Sequence, residues 1–386
     1  MIFGLHIVPN KKAKKCFEIE KIGFLAGDWG ICCNFVGVIK MREFMNKVLV
    51  TGGAGFIGYH ISEKLVNEGF NVIGLDNIND YYTPDLKYAR LSKLGVDNSE
   101  LTSKTCKKHS SSSHRNYYFI QQDFTNYEFL ANLFDEERFD KVIHLGAQAG
   151  VRYSLENPHA YIQSNVVGFM NVLECARQHH IKHLVYASSS SVYGNREKTP
   201  FSEEDRVDNP LSLYAATKKS NELMAYAYSH LYELPTTGLR FFTVYGSWGR
   251  PDMSPIIFAK AITTGKPIKI FNNGNMLRDF TYIDDIVEGI YKVMQHIPDK
   301  NSHKPYYNLY NIGNSAPIQL MDFIRSLEDA LGKKAIKEYF PMQPGDVYQT
   351  YADTSRLQQD VFYKPTTSIQ EGVERFAKWY KNQNIV

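Results

Sequence analysis

Tyr214 and Lys218 stand four residues apart in LYAATKK (213–219), with no helix breaker between them. Residues at that spacing share one face of a helix. A tyrosine has an ordinary pKa near 10, and bringing it to about 7 takes roughly 4 kcal/mol of preferential phenolate stabilisation. A lysine ammonium one turn along can supply part of that, and a nearby cationic cofactor can supply more. The phenolate could then take a proton from a hydroxyl while a hydride leaves the same carbon. On an ordinary helix the spacing means only packing, so the chemistry needs a hydride acceptor and a second polar group. The chain offers a glycine triplet within 52–58 and a serine run at 188–191.

The triplet lies in VLVTGGAGFIG (48–58), directly after an apolar run and before a helical pattern over 56–69. Gly52 and Gly55 permit a tight turn and close approach of the backbone to a pyrophosphate. Gly58 lets the helix pack on the strand, with its N-terminus facing the negative charge. Gly52, Gly55, Phe56, Ile57 and Gly58 therefore form the candidate cofactor loop. The second strand ends in Asp76, at the distance expected of a ligand to an adenosine ribose, and a carboxylate there favours NAD over NADP by repelling a 2′-phosphate. Asp123, ending the third strand, is placed either to accept from the adenine amino group or to cap the strand end.

These residues need a scaffold, and the pattern around them supplies one. KVLVTGG, NVIGLD, YYFIQQD, KVIHLGA, HLVYASS and TTGLRFF are short apolar runs, mostly separated by helical segments. Strands that are apolar throughout, alternating with helices, imply a parallel sheet covered on both faces. The fold class is thus α/β, a doubly wound Rossmann-type sheet with its ligand at the carboxyl ends of the strands. The NAD-binding domain is assigned to 46–246, with the polar stretch 92–116 expected as a mobile surface loop. The His109–His114 cluster in that stretch reads as solvated rather than metal-binding, and no metal site is expected. Beyond Gly246 the chain is punctuated by Pro and Gly, with short strands in PIKIF, LRDFTYI and YYNLYNI. Residues 247–386 are expected to form mainly a smaller α/β substrate domain, with some segments returning to the first.

Composition narrows the partners. The chain has 386 residues, 22% charged and 43% hydrophobic, with a formal net charge of +3. That balance is ordinary for a soluble protein and gives no reason to propose nucleic acid. Five cysteines without framework spacing fit a reducing cytoplasm. The apolar run at 22–39 holds Asp28 and Asn34. A charge mid-span costs about 2.5–3.5 kcal/mol, so no membrane anchor is expected. Residues 1–45 read as a dispensable extension or a misassigned start.

With these motifs in place, the sequence resembles the extended short-chain dehydrogenase/reductases, and among them the UDP-glucuronate 4-epimerases. TGGAGFIG, DNINDYY, HLGAQAGVRYSLENP, SSSSVYG, YAATK, RFFTVYGSWGRPDM and RDFTYIDDI carry the resemblance. It implies that Tyr214 is the acid/base, and that Lys218 tunes its pKa and holds the nicotinamide ribose. It assigns the hydroxyl partner to the serine run, at Ser189 or Ser191. It places Arg250 on the carboxylate of a UDP-sugar, Thr243 on the sugar, Arg278 on the pyrophosphate and Asp346 on the uridine ribose. Arg152 adds positive charge beside the mouth. A homodimer pairing the helices around 160–178 and 212–231 is also implied.

Related 4,6-dehydratases carry Thr-Asp-Glu where this chain has Ser189, Ser190 and Ser191, so no carboxylate stands there to run an elimination. Ser247 and Gly146 depart from the family pattern, which has Pro and Ala at those positions. The expected activity is NAD-dependent 4-epimerisation of UDP-glucuronate and UDP-galacturonate. The alternatives are a 4-epimerase of a neutral or N-acetylated UDP-sugar, and a non-catalytic NAD-binding regulator.

Overall fold

The computed structural model describes residues 46–102, 106–299, 305–343 and 346–383. The extension at 1–45, with its apolar run, lies outside them. Fourteen strands are seen among the described residues. They are β1 (Lys47–Thr51), β2 (Asn71–Asp76), β3 (Lys108–Ser110), β4 (Tyr117–Gln121), β5 (Lys141–His144), β6 (His183–Ser189) and β7 (Thr236–Phe241), followed by β8 (Thr243–Tyr245), β9 (Pro267–Ile270), β10 (Leu277–Arg278), β11 (Phe280–Tyr282), β12 (Tyr307–Ile312), β13 (Ile318–Gln319) and β14 (Ile336–Tyr339).

Eight of these form the main sheet, in the order β12-β7-β6-β5-β1-β2-β4-β3. All its pairings are parallel except that of β3 with β4. β1 shows how the sequence builds the two layers. Val48 and Val50 enter the core on one face, and Leu49 enters the core on the other. Side chains alternate across a strand, so a strand covered on both sides must be apolar at every position. The chain leaves β1 towards β2 on one side and returns to β5 on the other. This reversal opens a crevice at the carboxyl ends of β1 and β5.

The helices that concern the site are α1 (Phe56–Asn67), α2 (Pro84–Lys93), α3 (Tyr127–Glu137), α4 (Tyr153–Glu156), α5 (Pro158–Tyr161), α6 (Phe169–Gln178) and α7 (Leu213–Tyr232). A wider π-type turn, Ile162–Gly168, joins α5 to α6. From β8 onward, two-stranded pairings β8 with β11, β9 with β14 and β10 with β13 build a smaller lobe. Its core includes the stacked rings of Phe280 and Phe323, 4.2 Å apart.

Three segments differ from their sequence reading. The stretch 92–116 is partly regular: Asn98–Glu100 forms a short 3₁₀ turn, and β3 adds an antiparallel edge to the main sheet. Three residues in a polar context carry too little periodicity to show as a strand. The run YYNLYNI belongs to the main sheet as β12, where Tyr310, Asn311 and Ile312 are wholly buried beside β7. LRDFTYI is two strands rather than one. The buried Asp279 turns aside between them and accepts N–H bonds from Asn314, Ser315 and Ala352.

Candidate active site

A cleft of about 1180 Å³ opens where the strand order reverses. Gly52, Gly55, Phe56, Ile57, Gly58, Asp76, Ser189, Ser191, Tyr214, Lys218, Arg152, Thr243, Arg250, Arg278 and Asp346 all line it. The sequence therefore brought together residues spread over almost 300 positions. Asp123 is not among the lining residues. Its carboxylate accepts from Asn77 Nδ2 at 2.8 Å and from Thr125 N at 2.8 Å, the strand-end role that was the alternative for it.

The glycine loop is a cradle that side chains would fill. Gly52 has φ +72°, and a Cβ on Gly58 would lie 2.0 Å from the Gly52 carbonyl oxygen. α1 starts at this loop with no side-chain cap, so its first N–H groups are free to face an anion. Asp76 braces the loop from below, accepting from Ile78 N at 2.8 Å and Ala54 N at 3.3 Å. Together these features fit a dinucleotide, with the pyrophosphate over the glycine loop and the adenosine ribose at Asp76. Gly146, a departure from the family pattern, makes room for a ring: a Cβ there would meet Phe124 Cε1 at 2.6 Å. Ser247 gives its carbonyl to His60 Nε2 at 2.9 Å.

Tyr214 sits in the first turn of α7, capped by Ser212, whose hydroxyl accepts from Ala215 N at 3.1 Å. Burial raises the phenol's pKa, while the Arg250 charge and a hydrogen bond with Ser189 pull it down. Lys218 is buried on the same helical face and donates to the Ala187 carbonyl at 2.9 Å. Burial lowers its pKa to about 8. Arg250 and Ser189 thus add to the lowering influences that the sequence assigns to Lys218 and a cationic cofactor. The two candidate serines form one chain: Ser191 Oγ donates to Ser189 Oγ at 2.9 Å, and Ser189 reaches Tyr214.

At the substrate end, Arg250 is held side-on by Asp252, with Nε to Oδ1 at 3.0 Å and Nη2 to Oδ2 at 2.5 Å. Arg278 donates to the backbone carbonyls of Leu277, Val347 and Tyr348. Arg152 and Asp346 pair with each other at 3.2 Å. Thr243 opens β8, with its N–H on the Asp279 carbonyl at 3.2 Å.

Several supporting residues escaped the sequence reading. Arg90 is wholly buried and donates to carbonyls of Ala54, Trp248 and Gly249 and to the Tyr82 hydroxyl. Lys87, also buried, reaches Asn79 Oδ1 at 2.9 Å and Asp76 Oδ1 at 3.5 Å. His144 Nδ1 meets Thr51 Oγ1 at 2.7 Å, and burial lowers its pKa to about 3, so the ring is neutral. Glu222 lies one further turn beyond Lys218. It holds Ser188 at 2.7 Å and the Arg240 fork at 2.8 and 2.9 Å. Only Glu222 left a sequence signal, in the four-residue spacing Tyr214, Lys218, Glu222.

A model of the NAD dependent epimerase/dehydratase family matches residues 48–313. Protein CapI of Staphylococcus aureus is 51% identical over 345 residues, covering 86% of this chain and 98% of that protein. The probable UDP-glucuronate 4-epimerase of Rhizobium meliloti is 44% identical over 347 residues, covering 86% of this chain and 96% of its own length. Among solved structures, UDP-glucuronic acid 4-epimerase from Bacillus cereus, in complex with UDP-glucuronic acid and NAD, is similar with a TM-score of 0.75. Its identity is 32%, over 87% of this chain and 99% of that one.

The fold and the cleft define a Rossmann enzyme that uses NAD. The chain belongs to the NAD dependent epimerase/dehydratase family, and within it to the epimerases, which are isomerases.

Proposed function

We propose that this UDP-sugar 4-epimerase interconverts UDP-glucuronate and UDP-galacturonate through a transient 4-keto sugar. The observation that carries the reading is the place of Arg250, in the same cleft as Tyr214 and close enough to bias its ionisation. In a glucuronate the carboxylate is borne by C5, next to the carbon that is epimerised. A base for the C4 hydroxyl and a cation for the carboxylate must therefore be neighbours, and a guanidinium is the side chain best matched to a carboxylate.

NAD, when bound, supplies a hydride acceptor that is regenerated in each turnover. The chain's own residues do the rest. Tyr214 takes the C4 hydroxyl proton and returns it. The phenolate gains from the Arg250 charge and from Ser189, whose hydroxyl is oriented in turn by Ser191. Lys218 would hold the nicotinamide ribose from the same face of α7. Thr243 and Arg250 fix the sugar, while Arg278 faces the diphosphate. Ser189, Ser190 and Ser191 provide no carboxylate for water elimination, so the keto sugar is only rotated and reduced. The enzyme acts as a homodimer through α6 and α7.

Incubating the pure protein with UDP-glucuronate, UDP-glucose and UDP-N-acetylglucosamine and separating the products tests the substrate. UDP-galacturonate should appear, with no turnover of the neutral sugars. Turnover of UDP-glucose alone would overturn the reading. Tyr214→Phe should abolish turnover while NAD stays bound, and retained activity would remove Tyr214 from its role.

A further inference from the structure

Arg250 enters the cleft already paired. Asp252 takes its side-on edge, Nε and Nη2, in a two-bond fork. Its guanidinium also lies over the ring of Tyr81, 5.9 Å from the ring centre. The Tyr81 hydroxyl completes the cluster by donating to Asp252 Oδ2 at 3.0 Å. A guanidinium has five N–H groups in one plane and can take two carboxylates at once, one on each edge. With the side-on edge taken by Asp252, the Nη1/Nη2 edge is the one left for a second carboxylate.

Tyr81 itself needs room. Gly150 has φ +100°, and a Cβ there would sit 2.3 Å from the Tyr81 hydroxyl oxygen. The three stretches that meet here are DNINDYY, AGVRYS and GRPDM, whose Tyr81, Gly150 and Arg250 stand 69 and 100 positions apart in the chain. Burial, with the Asp252 charge adding to it, pushes the Tyr81 phenol up to about 12, so it stays a donor.

We propose that Tyr81 and Asp252, with Gly150 leaving space for the phenol, form a clamp that aims the open edge of Arg250 at the sugar, making them specificity-determining positioning residues for a sugar carboxylate. The clamp works by pre-orientation. A free arginine has rotamer entropy to lose on binding, whereas this one has lost it before the substrate arrives. The fork also neutralises Arg250 between turnovers, so that this cation is not left unpaired in the cleft. Asp252 touches no substrate in this scheme and acts through Arg250 alone.

The inference rests on the glucuronate reading, and the experiment separates the two. On the NAD-loaded full chain, the KM for UDP-glucuronate is measured beside the inhibition constant of UDP, which has the nucleotide but no sugar. Asp252→Ala should raise that KM about tenfold and Tyr81→Phe about threefold, with the UDP constant unchanged in both. Gly150→Ala should reproduce the Tyr81→Phe defect by displacing the phenol. The double variant Asp252→Ala/Arg250→Ala should be no worse than Arg250→Ala, because two residues acting through one contact do not add. Unchanged KM in Asp252→Ala, additive losses in the double variant, or a UDP constant that rises in parallel would each overturn the clamp. A wild-type protein that turns over UDP-glucose but not UDP-glucuronate would instead sink the glucuronate reading itself.

Discussion

The ionisation of Tyr214 is decided by few partners, and each can be removed singly. Burial raises its pKa, and Arg250 and Ser189 oppose that rise. A group that must be deprotonated to act gives an acid limb in the pH profile of kcat/KM, and that limb follows its pKa. Removing a donor to the phenolate raises the pKa further. Ser189→Ala should therefore move the acid limb to higher pH, by about 1–2 units if the bond is worth 1.5–3 kcal/mol. Ser191→Ala should move it less, since Ser191 acts through Ser189. Profiles of the three proteins check this, and an unmoved or down-shifted limb in Ser189→Ala would remove the serine from the proton path. The tyrosine, the lysine and the glycines were legible in the sequence because their spacing is dictated by helix and turn geometry. The serine question was not, because which hydroxyl faces the phenol depends on the bend at the end of β6, where Ser189 caps the following turn.

At the scale of elements, the cleft depends on a buried cation that holds loops together without a carboxylate. Arg90, on α2, spends its donors on the Ala54 carbonyl of the glycine loop and on the Trp248 and Gly249 carbonyls that precede Arg250. It thereby sets the distance between the cofactor loop and the substrate arginine. Trp248 has φ +62°, a conformation a bulky residue keeps only where its surroundings hold it. Arg90→Met should leave three carbonyls without their donor, at about 1–3 kcal/mol each. The expected result is a Tm lower by several degrees with weaker NAD binding. Arg90→Lys should recover little, since a single ammonium cannot span the three sites. Thermal unfolding and NAD titration of the purified variants check this, and wild-type values in both would show that the loops stand by themselves. Sequence reading could not see Arg90, because an arginine on a helix is ordinarily a surface charge and its partners here are backbone groups 36 and nearly 160 residues away. The strands β1, β2, β5, β6 and β7 were plain for the opposite reason. Burial on both faces writes itself into every position, while the edge strand β3 is short and polar and blends with its loop, and β12 reads as a strand whose place in the main sheet its half-polar pattern does not reveal.

For the whole molecule, the open question is the surface that the sheet and its helices leave uncovered. α6 and α7 pack beside one another, with the π-type turn between α5 and α6 also against α7. Their outer sides carry Leu223, 60% exposed, and Tyr226, 48% exposed, together with the exposed Ile162 and Met170. Single exposed apolar residues need no explanation, but several on adjoining helices suit an interface between copies. α7 carries Tyr214 and Lys218 near its start, and the π-type turn carries Asn165, which bonds Gln148 and Thr217 beside the cleft. A partner copy seated there would stiffen the elements that place the proton-transfer pair. The wild-type protein should sediment with the mass of two chains. Leu223→Glu combined with Tyr226→Glu places two charges in that face, where burial without a partner is costly, and should give a single-chain mass. Because both side chains point away from the core, the isolated chain should keep its α/β circular dichroism and bind NAD. Its Tm should depend less on protein concentration than that of the wild type, as mass action requires of a dimer that has been split. A double variant that still sediments as two chains would place the dimer on another face. A wild type that sediments as one chain at micromolar concentration would leave α6 and α7 without a partner copy and make Leu223 an ordinary surface residue.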